Sequence, residues 1–180
     1  MRKEPDKIGA RKSINNVTFR IVDKGDKIKA EVMELLHQYP DHFVHGLVEE
    51  YVEQDFAESD IVIAYDKGVP IGCLMFNRVS NEFNWLAVSR DAKARRSEIA
   101  KRLFESFYPT IEVGVEVHFF VNTEDASITG HPSFSGKNFE PARNLYRSMG
   151  LEIKNENRVE NKYGPGGHAY RVAWVPRKKD

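Results

Sequence analysis

Apolar positions along this chain switch between a period of two and a period near 3.6, and the switches predict its elements. VTFRIV, residues 17–22, alternates and is β-branched, which predicts a first strand. In the next segment Ile28, Val32, Leu35 and Leu36 recur at helical spacing, and Pro40 ends it. Residues 41–56 predict a second helix with Phe43, Leu47, Val48, Tyr51 and Val52 inward. The runs IVIAY and VPIGCLMF flank a short turn containing Gly68, a hairpin signature. EFNWLAV, residues 82–88, predicts a further strand. ARRSEIAKRLFESFY predicts a helix whose stripe is Ile99, Leu103, Phe104 and Phe107. VEVHFFV, residues 115–121, predicts a strand, and a polar stretch rich in Ser, Gly and Pro follows to Glu140. A short helix opening at Pro141 comes next, then LEIKNE and AYRVAWV as strands.

The predicted order is β-α-α-β-β-β-α-β-α-β-β. The strand–helix–strand unit built on EFNWLAV and VEVHFFV implies a parallel pair, whereas the hairpin before it is antiparallel. The expected architecture is therefore α/β, a twisted mixed sheet of about seven strands with helices on both faces. Residues 1–15 are polar and charged and predict a loose arm, leaving residues 16–180 as one domain.

Composition narrows the function classes. Of the 180 residues, 41% are hydrophobic and 30% charged, as in ordinary globular domains. The net charge of +0 provides no global field for nucleic acid or an anionic membrane, so neither is expected as a partner despite the basic runs RKEPDKIGARK and PRKK. One cysteine, Cys73, excludes an intramolecular disulfide and a cysteine-based zinc site. The first residues lack the apolar core of a signal peptide, which predicts a cytoplasmic protein. His42 and His45 have spacing for one helix face, with His37 nearby, but no acidic third ligand accompanies them, so no metal is expected.

Three local motifs carry a resemblance. The hairpin AYDKGVPIGCLMF is one. The second is the strand ending Leu86, Ala87, Val88, followed by Arg95, Arg96, Ser97, Glu98, Ile99 and Ala100 at a helix start. The third is PARNLYRSMGLEI, in which Ala142, Tyr146, Gly150 and Leu151 fit the pattern A-x-x-x-Y-x-x-x-G-F/L. Together with the element order, they make the chain from about Val17 onward resemble the GNAT superfamily of acyl-CoA-dependent N-acetyltransferases.

The resemblance implies acetyl-CoA as co-substrate and no metal. The second motif would hold the pyrophosphate of CoA, because first-turn N–H groups are unpaired and the helix dipole favours anions there. The family writes that turn R/Q-x-x-G-x-G/A. Here Arg95 and Ala100 match, but Glu98 replaces the first glycine, and the connection from Val88 is about two residues longer. A carboxylate about 6 Å from a phosphate charge costs roughly 3 kcal/mol at an effective dielectric of about 20, about a hundredfold in affinity. Glu98 thus motivates a second reading, a GNAT-fold binding or regulatory module without catalysis. Asn122, ending the VEVHFFV strand, completes the implied cofactor-contacting set.

By the same resemblance, Tyr146 would stand beside the CoA sulfur and donate to the departing thiolate, while the Val88 amide would face the thioester oxygen. Glu82 lies six positions before Val88, where certain histone-acetylating members keep a catalytic glutamate. His118 is the other candidate base, directly or through water. In a regular strand Glu82, Asn84, Leu86 and Val88 share one face. The acceptor would be a primary amine of a small molecule or peptide, with Phe43, His45 and Tyr51 near it. The polar stretch from Thr123 to Glu140 is long enough to cover a site. Exposed strand edges are compatible with a homodimer.

Overall fold

The computed structural model describes residues 14, 16–39, 47–128, 131–136, 139–151 and 153–175. The expected N-terminal arm lies outside these residues except for Ile14, which is buried in the main core and whose carbonyl accepts from the Val17 N–H. His42, His45 and Phe43 also lie outside them.

The predicted strands and helices form, with three changes. Strand β1 is Val17–Val22, helix α1 Asp26–His37 and helix α2 Leu47–Glu58. The hairpin is β2, Ser59–Asp66, with β3, Val69–Asn77; Lys67 and Gly68 turn it with positive φ values of 53° and 83°. Strand β4 is Glu82–Val88, helix α3 Arg96–Phe107 and strand β5 Val117–Asn122. Helix α4, Phe139–Ser148, ends at Gly150, whose φ of 78° is the left-handed conformation of a C-cap.

The first change lies in the polar stretch, where β6, Ser127–Ile128, pairs with β7, His131–Ser135, without any apolar alternation to announce it. In the second, LEIKNE is not a strand. Leu151 and Ile153 pack on the core from a connector, a 3-10 turn follows at Asn155–Asn157, and β8 is only Arg158–Val159. An extended connector laid on a core gives the same short alternation as a strand. The third is the long connection after Val88. Arg90–Arg95 form a 3-10 segment, kinked at Lys93 with φ 44°, so α3 opens at Arg96 and not at Ala94.

The sheet order is β1-β2-β3-β4-β5-β9-β8, with β9 at Ala169–Trp174. Only β4–β5 is parallel, as the crossover requires. One face packs against α3 and α4 through Leu103, Phe104, Phe107 and Tyr146. The other packs against α1 and α2 through Val32, Leu36, Val52 and Phe56. Gly72 of β3 allows α3 to sit close: a Cβ there would lie 3.2 Å from both Ile99 and Leu103.

Candidate active site

Strand β4 has two unlike edges. Toward β3 it is paired from Glu82, opposite Asn77, to Val88, opposite Gly72. Toward β5 a single pair forms, Glu82 opposite His118, where the His118 N–H donates to the Asn81 carbonyl at 3.0 Å. Beyond it the strands part, and a cleft of about 1590 Å³ lies along the gap.

A bulge sets the direction of β4 in that gap. The register with β3 shifts between Cys73, opposite Ala87, and Met75, opposite Asn84, and Trp85 has φ 48°. A bulky aromatic residue in the left-handed region is a backbone outlier, and bulges of this kind re-aim side chains beside functional sites. The bulge corrects the regular-strand expectation. Phe83, Leu86 and Val88 belong to the α3 face. Asn84, opposite Met75, stands on the α1–α2 face with Trp85 and Ala87. Glu82 and Asn84 therefore do not share a face with Leu86 and Val88.

Past the bulge, the Ser89 N–H donates to the Ile71 carbonyl at 2.8 Å, toward β3. Backbone groups alternate along an antiparallel ladder, so the N–H and C=O of Val88 point away from β3, into the gap. The Val88 carbonyl is taken by the Tyr39 O–H. Its N–H is directed at the cleft.

The α3 end of the cleft is lined by Arg96, Ser97, Ala100 and Asn122, with Leu86, Ala87 and Val88 along its length. Arg96, Ser97 and Glu98 form the first turn of α3; the Arg96 N–H donates to the Lys93 carbonyl, and the residue before the turn, Arg95, gives it no side-chain cap. Three residues of the sequence motif stand elsewhere. Arg95 is paired with Asp66 at 2.9 Å, and Ile99 is fully buried in the core. Glu98 leaves 57% of its side chain exposed, lies 3.7 Å from Arg102 and does not line the cleft. If this turn holds an anion, it does so through backbone N–H groups and the side chains of Arg96 and Ser97.

Tyr146 lies midway, 7% exposed, with its ring 4.1 Å from that of Phe119 and 6.1 Å from that of Phe104. Its side chain lines the cleft, and among the described residues no hydrogen-bond partner holds its phenol. Burial raises its pKa, so the phenol stays protonated and available as a donor.

At the opposite end, Glu82 lines the cleft with its carboxylate 3.7 Å from His118 Nε2. Burial raises the Glu82 pKa, Asp55 adding to the rise while Lys162 and Arg171 oppose it. Burial lowers the His118 pKa, with Arg171 and Lys162 lowering it further and Glu116 opposing them. The separation is that of an ion pair, yet burial favours the neutral form of each group, so a strong ion pair is not what holds them. A desolvated carboxylate beside an imidazole is a proton acceptor with a partner for the proton.

Three further residues line the cleft without having been singled out in the sequence. Asp55 of α2 accepts from the indole N–H of Trp85, and burial raises its pKa. Lys162 rests its ammonium 4.0 Å from the Phe120 ring centre. Tyr163 is 38% exposed overall, but burial of its phenol, with Glu82 and Tyr146 nearby, raises its pKa. It enters from the YGPG turn, Tyr163 to Gly166, ahead of β9. A charged residue on a helix face, such as Asp55, carries no signal of the strand it will meet.

The side chain of Tyr51 lies outside the description. Among the described residues no group of three or more His, Cys, Asp or Glu is placed to hold a metal, and no helix is long and apolar enough to cross a membrane.

No protein-family model and no curated protein sequence matches this chain. Solved structures do. Aminoglycoside 6'-acetyltransferase type Ii is similar with a TM-score of 0.63 at 19% identity, over 91% of this chain and 99% of that one. An aminoglycoside 6'-N-acetyltransferase complexed with coenzyme A gives 0.64 at 15%, over 91% and 99%. The ribosomal-protein-S18-alanine N-acetyltransferase of Escherichia coli gives 0.60 at 14%, over 91% and 96%. At these identities the likeness is one of fold: the chain has the fold of the GNAT acetyltransferases.

Proposed function

We propose, from a chain with the GNAT fold, that this protein is an acetyl-CoA-dependent N-acetyltransferase acting on a primary amine of a small molecule or a peptide. The observation that carries the proposal is the parting of β4 from β5, with the Val88 N–H aimed into the gap and the uncapped first turn of α3 at its mouth. A structural neighbour solved with coenzyme A supports the co-substrate, and neighbours named for aminoglycosides and for a ribosomal protein support both kinds of acceptor. Glu98, the sequence's argument for a non-catalytic module, faces away from the cleft and weakens that reading.

The residues divide the chemistry between the two ends. First-turn N–H groups of α3, with Arg96 and Ser97, take the pyrophosphate; Ala100 leaves it room, and Asn122 offers an amide from the facing strand. Leu86, Ala87 and Val88 border the pantetheine arm. The amine nitrogen attacks the thioester carbon, and the Val88 N–H donates to the carbonyl oxygen as charge gathers there. Glu82, with His118 behind it, accepts the proton the amine gives up. The C–S bond breaks, and the sulfur leaves as a thiolate that Tyr146 donates to or protonates.

Calorimetric titration of acetyl-CoA tests the proposal first. Micromolar binding, followed by acetylated product with an amine acceptor, is the expected outcome. No binding at millimolar ligand would overturn it.

A further inference from the structure

The least relaxed backbone in the cleft belongs to Trp85, whose φ of 48° sits at the register shift of β4. Left-handed conformations of bulky residues are costly and persist only where their surroundings over-determine them. Two surroundings hold Trp85. Its side chain packs against the core formed with α1 and α2, and its indole N–H donates to the Asp55 carboxylate. Asp55 is half-buried one turn before the end of α2, so the helix anchors the acceptor. Glu58, from the same helix, holds Asn77 Nδ2 at 3.1 Å, at the opposite end of the β3–β4 seam. Two carboxylates of α2 thus grip the β3–β4 pair, Asp55 at the bulge and Glu58 where β3 passes into β4.

We infer that Asp55 is a positioning residue: by holding the Trp85 indole it fixes the β4 bulge, and with it the direction in which the Val88 N–H meets the gap. The register shift is what sets Val88 opposite Gly72, at a ladder position whose N–H points away from β3. Releasing the indole removes a hydrogen bond that opposes relaxation of Trp85 toward an ordinary strand conformation, and the donor then shifts relative to a carbonyl oxygen in the cleft. The catalytic consequence rests on the acetyltransferase reading; the clamp itself does not.

The test uses the full chain with Trp174→Phe, which leaves Trp85 as the sole tryptophan. Asp55→Ala removes the acceptor, Asp55→Asn keeps an acceptor oxygen, and Trp85→Phe removes the donor from the other side. In Asp55→Ala the emission of Trp85 is expected to move to longer wavelength, and in Asp55→Asn to stay. Turnover of folded Asp55→Ala and of Trp85→Phe is expected to fall between about tenfold and a hundredfold, the usual consequence of misplacing a catalytic group by about an ångström. The KM for acetyl-CoA should stay within about threefold of the parent's, because uniform binding is untouched. Asp55→Asn should restore most of the turnover.

Unchanged emission in Asp55→Ala would overturn the clamp. Shifted emission with undiminished turnover would overturn its catalytic role, as would equal losses in the alanine and asparagine variants. Absence of turnover in the parent protein would sink the acetyltransferase reading, and the emission shift alone would then decide the clamp.

Discussion

The two edges of β4 are paired to very different extents. Against β3 the strand is hydrogen-bonded along its length, interrupted only by the bulge, and sealed from above by α3 at Gly72. Against β5 it pairs once and then opens. The closed edge spends its backbone groups on the fold. The open edge keeps polar groups facing a cleft. A buried backbone donor left without a strand partner is costly in a merely structural sheet, which is why the proposed chemistry is assigned to this edge.

The largest expected effect comes where the edges share a support. Phe104 is 3% exposed and touches Phe83 on β4 with Phe119 and Tyr146 across the gap. Phe104→Ala should cost about 3–5 kcal/mol in chemical denaturation, the range for emptying a buried phenylalanine site. A loss under about 1 kcal/mol would mean that the two sides are supported separately.

The open edge alone is addressed by Glu82→Gln, expected to lower kcat about a hundredfold. A general base works only when deprotonated, and burial holds the Glu82 pKa above its ordinary value of 4.5. In the parent protein kcat/KM should therefore fall as pH drops through a midpoint higher than that of an exposed carboxylate. The acidic limb should vanish in the glutamine variant. Survival of the limb would hand the role to another group, His118 being the nearest.

Gly72→Val strikes the closed edge. Its Cβ would already lie 3.2 Å from Ile99 and Leu103 and 3.3 Å from the Ala87 carbonyl oxygen. Overpacking there should cost about 2 kcal/mol of stability, read from the denaturation midpoint. Tyr146→Phe is milder. A thiolate is a fair leaving group, so kcat should drop about tenfold with acetyl-CoA affinity unchanged. Equal turnover would return Tyr146 to a purely packing role. Smallest is Glu98→Gln: with the carboxylate out in solvent, acetyl-CoA affinity should change by less than about threefold. A tenfold gain would place Glu98 against the pyrophosphate after all.

Much of the fold was legible because its signals are local. The stripe Ile99, Leu103, Phe104 and Phe107 faces the core as its spacing says, and the β2–β3 turn falls at Lys67 and Gly68. The site was legible in part. Leu86, Ala87, Val88, Arg96, Ser97, Ala100, Asn122, Tyr146 and Glu82 all line one cleft. Arg95, Glu98 and Ile99 do not, because the inserted 3-10 segment turns the helix start and directs Arg95 to Asp66. Asp55, Lys162 and Tyr163 were not found, since they reach the cleft from α2 and from the turn before β9, far along the chain from β4, and nothing local marks them as lining it.

By itself the sequence determined the order of strands and helices apart from β6, β7 and the place of β8, together with the α/β class and the parallel crossover between β4 and β5. These follow from periodicity and turn chemistry within short windows. Only the tertiary structure decided that β4 bulges at Trp85, that its two edges differ, that Glu98 faces solvent, and that α2 and the YGPG turn complete the cleft. Each of those depends on how far two elements distant in sequence approach one another, and packing sets that distance, not the local preference of any residue.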